Sequence, residues 1–305
     1  MVDLDDLLIK TSRTFALSIP LLEGETRQQM TLAYLLLRIS DTFEDAAVWS
    51  RERRAEELFH FAGLVDSPVP ANGAAVAARV ESWLSEPPTD HEGYLELLRA
   101  TDEVLSAYWA LDPTARAVIG VHVRRTTIGM AYFVKRADPS GELRLNGITD
   151  LRDYCYVVAG IVGEMLTELL LLGAPLEPVA EALRRRAATC GEALQLVNIL
   201  KDSDTDADEG RTFVSGARDR ERAFGIARQD LILAGEYVNL LQSGGAPRSY
   251  QRSIGLPVRL AWMALDRLEE QGPGSKVSRS EVMELIAAIH DDVEAGRPVV
   301  MAAGL

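Results

Sequence analysis

Apolar residues recur three and four positions apart in stretch after stretch of this chain: 5–22, 25–46, 51–64, 74–84, 93–111, 114–135, 151–172, 179–202, 220–241, 248–270 and 279–295. That spacing gathers them on one face of a helix, and no stretch alternates apolar with polar residues as a half-buried strand would. The reading is therefore all-α. Glu23-Gly24, Pro87-Pro88, Asp112-Pro113 and Gly244-Gly245 separate the helices, because glycine and proline interrupt helical runs. No short fixed period repeats, which favours an irregular helical bundle over a solenoid. No Pro-, Gly- or Ser-rich linker divides the 305 residues, so the expectation is a single domain over 1–305, with 297–305 a flexible tail.

Two of these helices turn acidic at their ends. One reads YLLLRISDTFED over 34–45, the other LQLVNILKDSDTDADEGRTF over 194–213. Asp41 and Asp45 stand four apart, as do Asp202 and Asp206, so each pair projects from one face a turn apart. Carboxylates so placed repel, and a divalent cation between them turns repulsion into binding; hard oxygen sites suit Mg²⁺ shared with substrate phosphate. An acidic helix end is more simply a solvated face, and one motif alone favours that reading. A calcium loop starting at Asp202 fails, since Ala207 stands where glycine is needed and Phe213 where glutamate is. The second copy, about half a chain away, shifts the balance. It suggests two helices facing each other across a cavity, their metals sharing one diphosphate.

Hydrophobic residues make up 47% and charged residues 26%, ordinary for a globular protein. A formal net charge of -14 argues against nucleic acid or an anionic membrane surface as a partner. It would also repel a diphosphate, so bound Mg²⁺ and local Arg or Lys must reverse the field at the site. Cys155 and Cys190 lack metal-ligand spacing and read as buried reduced thiols. The acidic start MVDLDDLLIK does not look like a signal peptide, which places the chain in the cytoplasm as an expectation. The apolar stretch 154–172 is interrupted by Glu164 and Glu168, so it reads as a buried helix and not a membrane span.

Some residues carry two readings. Ser12-Arg13 precedes an apolar run; Arg13 alone is a surface residue, but beside a metal-diphosphate site it binds phosphate oxygens in fork geometry. Arg38, three residues before Asp41, reads as its salt-bridge partner and as a phosphate ligand. Gly160 and Gly163 inside a helix each cost about 1 kcal/mol relative to Ala, so a close helix contact or room for a ligand is expected there. Tyr154 is either a core tyrosine with a satisfied hydroxyl or a proton donor or acceptor near leaving diphosphate.

Together these stretches resemble the squalene/phytoene synthase family, the head-to-head prenyl synthases. The resemblance rests on SRTF from Ser12, YLLLRISDTFED from Tyr34, GMAYF from Gly129, DYCYVVAGIVGEMLT from Asp153, and LQLVNILKDSDTD from Leu194 followed by GRTF from Gly210, in family order. It implies an isoprenoid synthase-like bundle around a central apolar cavity. It further implies that Asp41, Asp45, Asp202 and Asp206 bind Mg²⁺ and, through it, substrate diphosphate. Ser12, Arg13, Tyr34 and Arg38 match diphosphate-contacting positions, Gln195 and Asn198 the polar residues before the second motif, and Tyr154 the tyrosine implicated in proton handling. Phe15, Val158, Gly160 and Leu166 would fall along the prenyl pocket, and Lys276 and Arg279 where the family has a short basic segment. Lys201 departs from the pattern, standing where arginine is usual; it keeps the charge and loses the fork.

The chemistry so implied joins two farnesyl diphosphates through a cyclopropylcarbinyl diphosphate. Hydride from NADPH then gives squalene; proton loss without reductant gives dehydrosqualene, or phytoene where the two donors are geranylgeranyl diphosphate. GMAYF and YVVAG look like the squalene synthase branch, while YCYVVAGIVGEMLT and LQLVNIL also look like bacterial dehydrosqualene synthases. A prenyl diphosphate phosphatase or a cyclase would use the same aspartates. A non-catalytic helical lipid-binding protein would need none of them. The product would pass to a bilayer by transient membrane contact.

Overall fold

Short polar side chains set where the helices begin. Asp3, Ser50, Asn72, Asp112 and Ser278 each accept backbone N–H groups of the first turn that follows, as helix starts require. The computed structural model describes residues 2–70, 72–138, 141–208, 210–272 and 274–301, the Asp208 side chain excepted. The chain divides into two units, Met1–Ile19 with Gly24–Glu142, and Pro20–Glu23 with Leu143–Leu305.

The first unit holds α1 (Leu4–Thr11), α2 (Phe15–Ser18), α3 (Gly24–Glu44), α4 (Arg51–Val65), α5 (Gly73–Ser85), α6 (Glu92–Arg99), α7 (Thr101–Trp109) and α8 (Pro113–Arg136). α3 is the centre. Leu32, Leu35, Leu36, Ile39 and Phe43 are wholly buried along it, and its hydroxyls turn inward: Thr42 donates to the Arg38 carbonyl at 2.8 Å and Ser40 pairs with Thr127 of α8 at 2.7 Å. A helix buried on nearly all sides needs its polar groups satisfied in this way. At its acidic end Phe43 packs against Trp83 at 4.7 Å, Trp49 at 5.8 Å and Phe61 at 6.1 Å between ring centroids. Arg54 donates to the Glu44 carbonyl, capping the last turn.

The second unit opens with β1 (Leu143–Arg144) and continues through α9 (Gly147–Cys155), a π turn (Tyr156–Gly160), α10 (Ile161–Gly173), α11 (Glu177–Asp208), β2 (Arg211–Thr212), α12 (Gly216–Ser243), α13 (Arg248–Gln271) and α14 (Arg279–Glu294). α10 and α11 touch backbone to backbone. A Cβ on Gly163 would lie 2.1 Å from the Ala187 carbonyl oxygen, and one on Gly191 2.1 Å from that of Ala159. The glycines inside 151–172 thus serve close helix contact. The run Gly147–Gly173 is long and apolar enough, with mean hydropathy 1.8, to cross a membrane by length and composition, and 39% of that window is buried. Cys155 and Cys190 are buried free thiols, as expected, and burial pushes both up to about 12.

The all-α expectation holds, with local differences. The stretch 5–22 breaks between α1 and α2 because Ser12 is extended (φ -137°, ψ 145°) and its Oγ accepts the Phe15 N–H at 2.9 Å. The stretch 93–111 breaks at Ala100, whose N–H is shared between the Glu96 and Leu97 carbonyls, both at 3.1 Å. Two strands of two residues pair in parallel, Leu143 with Arg211 and Arg144 with Thr212, too short for any alternation to signal them. Gly210, at φ +78°, makes the turn that brings the chain off α11 into that pairing. Residues 297–300, expected in a flexible tail, are docked: Val299 and Val300 are buried over Gly255 and Gly235, and the Val300 and Arg297 carbonyls accept from Asn239 (3.0 Å) and Gln242 (2.8 Å). Two valines facing two glycines have a groove to fill. Residues 302–305 lie outside the described ones.

Candidate active site

In the first unit the sequence-predicted residues gather around the C-terminal turns of α3. Asp41 lies in its last turn and Asp45 one residue past its end, where the Asp45 N–H still bonds the Asp41 carbonyl at 2.8 Å. Helical geometry therefore carries both carboxylates to the same side. Arg38 Nη1 meets Asp41 Oδ2 at 3.2 Å, and Arg38 Nε donates to the Tyr34 hydroxyl at 3.0 Å. That hydroxyl in turn donates to the Thr11 carbonyl at 2.6 Å. The guanidinium carbon stands 5.4 Å from the ring centroids of both Tyr34 and Tyr94. Burial by itself would lower the Arg38 pKa, but Asp41, Tyr34 and Tyr94 outweigh it and hold the charge firmly. Tyr94 is pushed up, by burial first, with Arg38 opposing and Tyr34, Asp41 and Asp45 adding.

Phe15 packs on Tyr34 at 5.6 Å and is itself part exposed; Ser12 is half-buried and Arg13 exposed in the break between α1 and α2. Tyr94 is the residue the sequence reading missed here. It comes from α6, and nothing near it in sequence marks it. Tyr34→Phe is expected to cost about 1–2 kcal/mol, since the buried Thr11 carbonyl loses its donor and Arg38 loses an acceptor; chemical denaturation measures it.

In the second unit α11 runs past the expected end at 202 to Asp208, so Asp202 and Asp206 do share a helix face. Asp202 is exposed and meets Lys201 Nζ at 3.2 Å; Lys201 also donates to Asn198 Oδ1 at 3.3 Å. Asp206 is more enclosed and is met by Arg211 Nη2 at 3.2 Å. Gln195 is half-buried and Asn198 exposed, on the two turns below. Tyr154 is buried on α9, its ring stacked on Phe213 at 4.8 Å. Val158 and Leu166 are half-buried, Gly160 buried. Arg211 and Phe213 were quoted in sequence only as part of GRTF; the strand pairing of β2 with β1 is what brings one to the second aspartate pair and the other to Tyr154. Lys276 and Arg279 are exposed, Lys276 just before α14 and Arg279 its first residue, and Arg267 Nη1 donates to the Lys276 carbonyl at 2.7 Å.

Among the described residues no group of three or more His, Cys, Asp or Glu is gathered so as to hold a metal by itself. Each helix end instead offers a pair of hard carboxylates with an arginine against one of them. That donor set fits Mg²⁺, which keeps waters and phosphate oxygens among its ligands. Two surface hollows in the first unit, of about 540 and 550 Å³, are lined respectively by α5 with Arg99 and Asp102, and by Arg51, Glu52, Glu56, Phe59 and Lys135. Neither includes a motif aspartate.

Residues 8–243 match the family described as squalene/phytoene synthase. The squalene synthase of Schizosaccharomyces pombe is 30% identical over 207 residues, 68% of this chain and 42% of that protein. That of Yarrowia lipolytica is 31% identical over 211 residues, 68% of this chain and 44% of that protein. The matched stretch thus spans under half the length of these curated relatives. The solved structure of TcSQS in complex with the ligand BPH1237 superposes with a TM-score of 0.69 at 22% identity, covering 96% of this chain and 89% of that one, a likeness of fold.

Proposed function

The chain belongs to the squalene/phytoene synthase family, and from that premise we propose that it joins two prenyl diphosphates head to head with loss of both diphosphates. Farnesyl diphosphate is the proposed substrate and squalene the proposed product. The observation that carries this reading is that each paired-aspartate helix end holds an arginine against one aspartate, Arg38 on Asp41 and Arg211 on Asp206, both at 3.2 Å. An arginine fork that engages a carboxylate engages phosphate oxygens in the same geometry.

In this reading Asp41 with Asp45, and Asp202 with Asp206, hold Mg²⁺, which neutralises the departing diphosphate when bound. Arg38, oriented by Tyr34, binds phosphate oxygens together with Ser12 and Arg13. Lys201 and Arg211 do the same beside the second pair, with Gln195 and Asn198 as polar contacts. The Tyr154 hydroxyl holds or moves a proton near the leaving group, its ring fixed by Phe213. Phe15, Val158 and Leu166 line the prenyl chain and keep water from the carbocation, while Gly160 is taken up by its contact with Glu192 of α11. NADPH, held through its phosphates by the exposed Lys276 and Arg279, would supply hydride for the reductive step.

Purified protein incubated with farnesyl diphosphate and Mg²⁺ is expected to give squalene only when NADPH is added, and nothing after chelation of the metal. Dehydrosqualene regardless of reductant would replace the reductive step with proton loss. Farnesol alone would make the protein a phosphatase, and a cyclic terpene a cyclase. Geranylgeranyl diphosphate in parallel reads chain length and would reveal phytoene. No turnover of either substrate would sink the enzymatic reading in favour of lipid binding.

A further inference from the structure

Outside the aspartate pairs, buried charge in the second unit concentrates where α9, α11 and α12 meet. Arg152 on α9 spans carboxylates on the other two helices: Nη2 donates to Glu192 Oε2 at 3.0 Å and Nη1 to Asp230 Oδ2 at 2.9 Å. Glu192 is 8% exposed and Asp230 6%, while the Arg152 side chain that joins them is 40% exposed. Two enclosed carboxylates share one cation. Burial raises both of them above the usual carboxylate range, with Arg152 opposing. Such a cluster is a weak source of stability, because apolar packing of the same volume often does as well; fixing register is its better-attested use.

Its location points the same way. A Cβ on Gly160 would lie 3.2 and 3.3 Å from Glu192 Oε1 and Cγ, and one on Gly191 would meet the Ala159 carbonyl, so α11 seats into the π turn at these two residues. Arg152 comes two residues before Tyr154, and Glu192 three before Gln195 on the helix that ends in Asp202 and Asp206. We propose that Arg152, Glu192 and Asp230 form a three-helix positioning device, which fixes the rotation and register with which α9 presents Tyr154 beside α11. Arg152 is then a positioning residue that acts on turnover without touching substrate. This rests on the reading of Tyr154 and α11 as reaction-site elements.

The test compares wild type with Arg152→Lys, with Arg152→Met, and with the all-neutral combination of Arg152→Met, Glu192→Gln and Asp230→Asn. Melting temperature and release of diphosphate from farnesyl diphosphate with Mg²⁺ are followed in each. Arg152→Lys keeps the charge and loses the fork. It is expected to fold and to lose about 10- to 100-fold in kcat, with KM changed by no more than about threefold, since a misplacement near 1 Å costs that much. Arg152→Met leaves Glu192 facing Asp153 and Cys155 of α9, Glu164 of α10 and Asp230 of α12. Its carboxylates must then take up a proton, so its deficit should be smaller at about pH 6 than at about pH 8. The all-neutral variant should lack that pH dependence and still turn over slowly.

Folded Arg152→Lys and all-neutral variants with kcat within about twofold of wild type would overturn the inference, leaving the cluster a packing feature. Failure of both to fold would also overturn it, making the cluster a determinant of folding. Wild type that releases no diphosphate at all would instead sink the functional reading, and this inference with it.

Discussion

Replacing Asp41 or Asp202 with alanine is expected to lower turnover of farnesyl diphosphate by about 10³-fold or more, a loss of several kcal/mol of charge stabilisation at the departing diphosphate. The fold should lose little with Asp202, and somewhat more with Asp41, the carboxylate that most offsets the burial of Arg38. Asp202 is exposed and its contact with Lys201 is a surface ion pair, worth at most about 1 kcal/mol. Asp41 is part exposed, and without it Arg38 keeps the Tyr34 hydroxyl and two flanking rings. Asp206 is the poorer choice. Its removal strips the enclosed Arg211 of a carboxylate, so lost activity and lost stability would be confounded. Circular dichroism melts and product assays on Asp41→Ala and Asp202→Ala decide the matter: variants that melt like wild type and turn over like it would contradict the assignment.

Gly163→Ala and Gly191→Ala are expected to destabilise by about 2–3 kcal/mol or more, against a usual gain of about 1 kcal/mol for replacing glycine in a helix. The sign follows from what the new methyl meets. In both cases it is a backbone carbonyl oxygen 2.1 Å away, Ala187 of α11 for Gly163 and Ala159 of the π turn for Gly191; neither can rotate aside, so the packed segments themselves must separate. At about 2–4 °C for each kcal/mol, the melting temperature should fall by about 5 °C or more. Gly225 on α12 is the control: a Cβ there meets nothing within 4 Å, so Gly225→Ala should be neutral or slightly stabilising. If all three melts coincide, α10 and α11 are not in the contact described. Because those helices carry Gln195 and continue from Tyr154, turnover should fall with the first two and not with the third.

Legibility in the sequence follows how local each signal is. α3 was readable because its apolar residues, inward hydroxyls and terminal aspartates all lie within one run, and Arg38 with Asp41 needs only helical spacing to meet. The glycines of 151–172 announced a close contact or a ligand space; only the facing helix, with its own Gly191 and Ala187, settles that contact is what they serve. The break at Ser12 was hidden because a serine hydroxyl competing for a backbone N–H leaves no gap in apolar periodicity. Tyr94 beside Arg38 and Phe213 on Tyr154 depend on chain returning from a distance, and Arg211 meets Asp206, five residues back, only through the turn at Gly210 and the pairing of β2 with β1; periodicity encodes none of these. The same holds for Val299 and Val300, whose partners are the bare backbones of Gly235 and Gly255.

The five-residue turn at Tyr156–Gly160 makes the helix after Tyr154 sensitive to chain length as well as to side-chain chemistry. Each helical residue advances the azimuth by about 100°, so losing or gaining one position there would swing Leu166 and everything beyond it by roughly a quarter of a revolution relative to Tyr154. A point substitution on this helix changes its surface in one place. A single-codon deletion would re-aim an entire row at once.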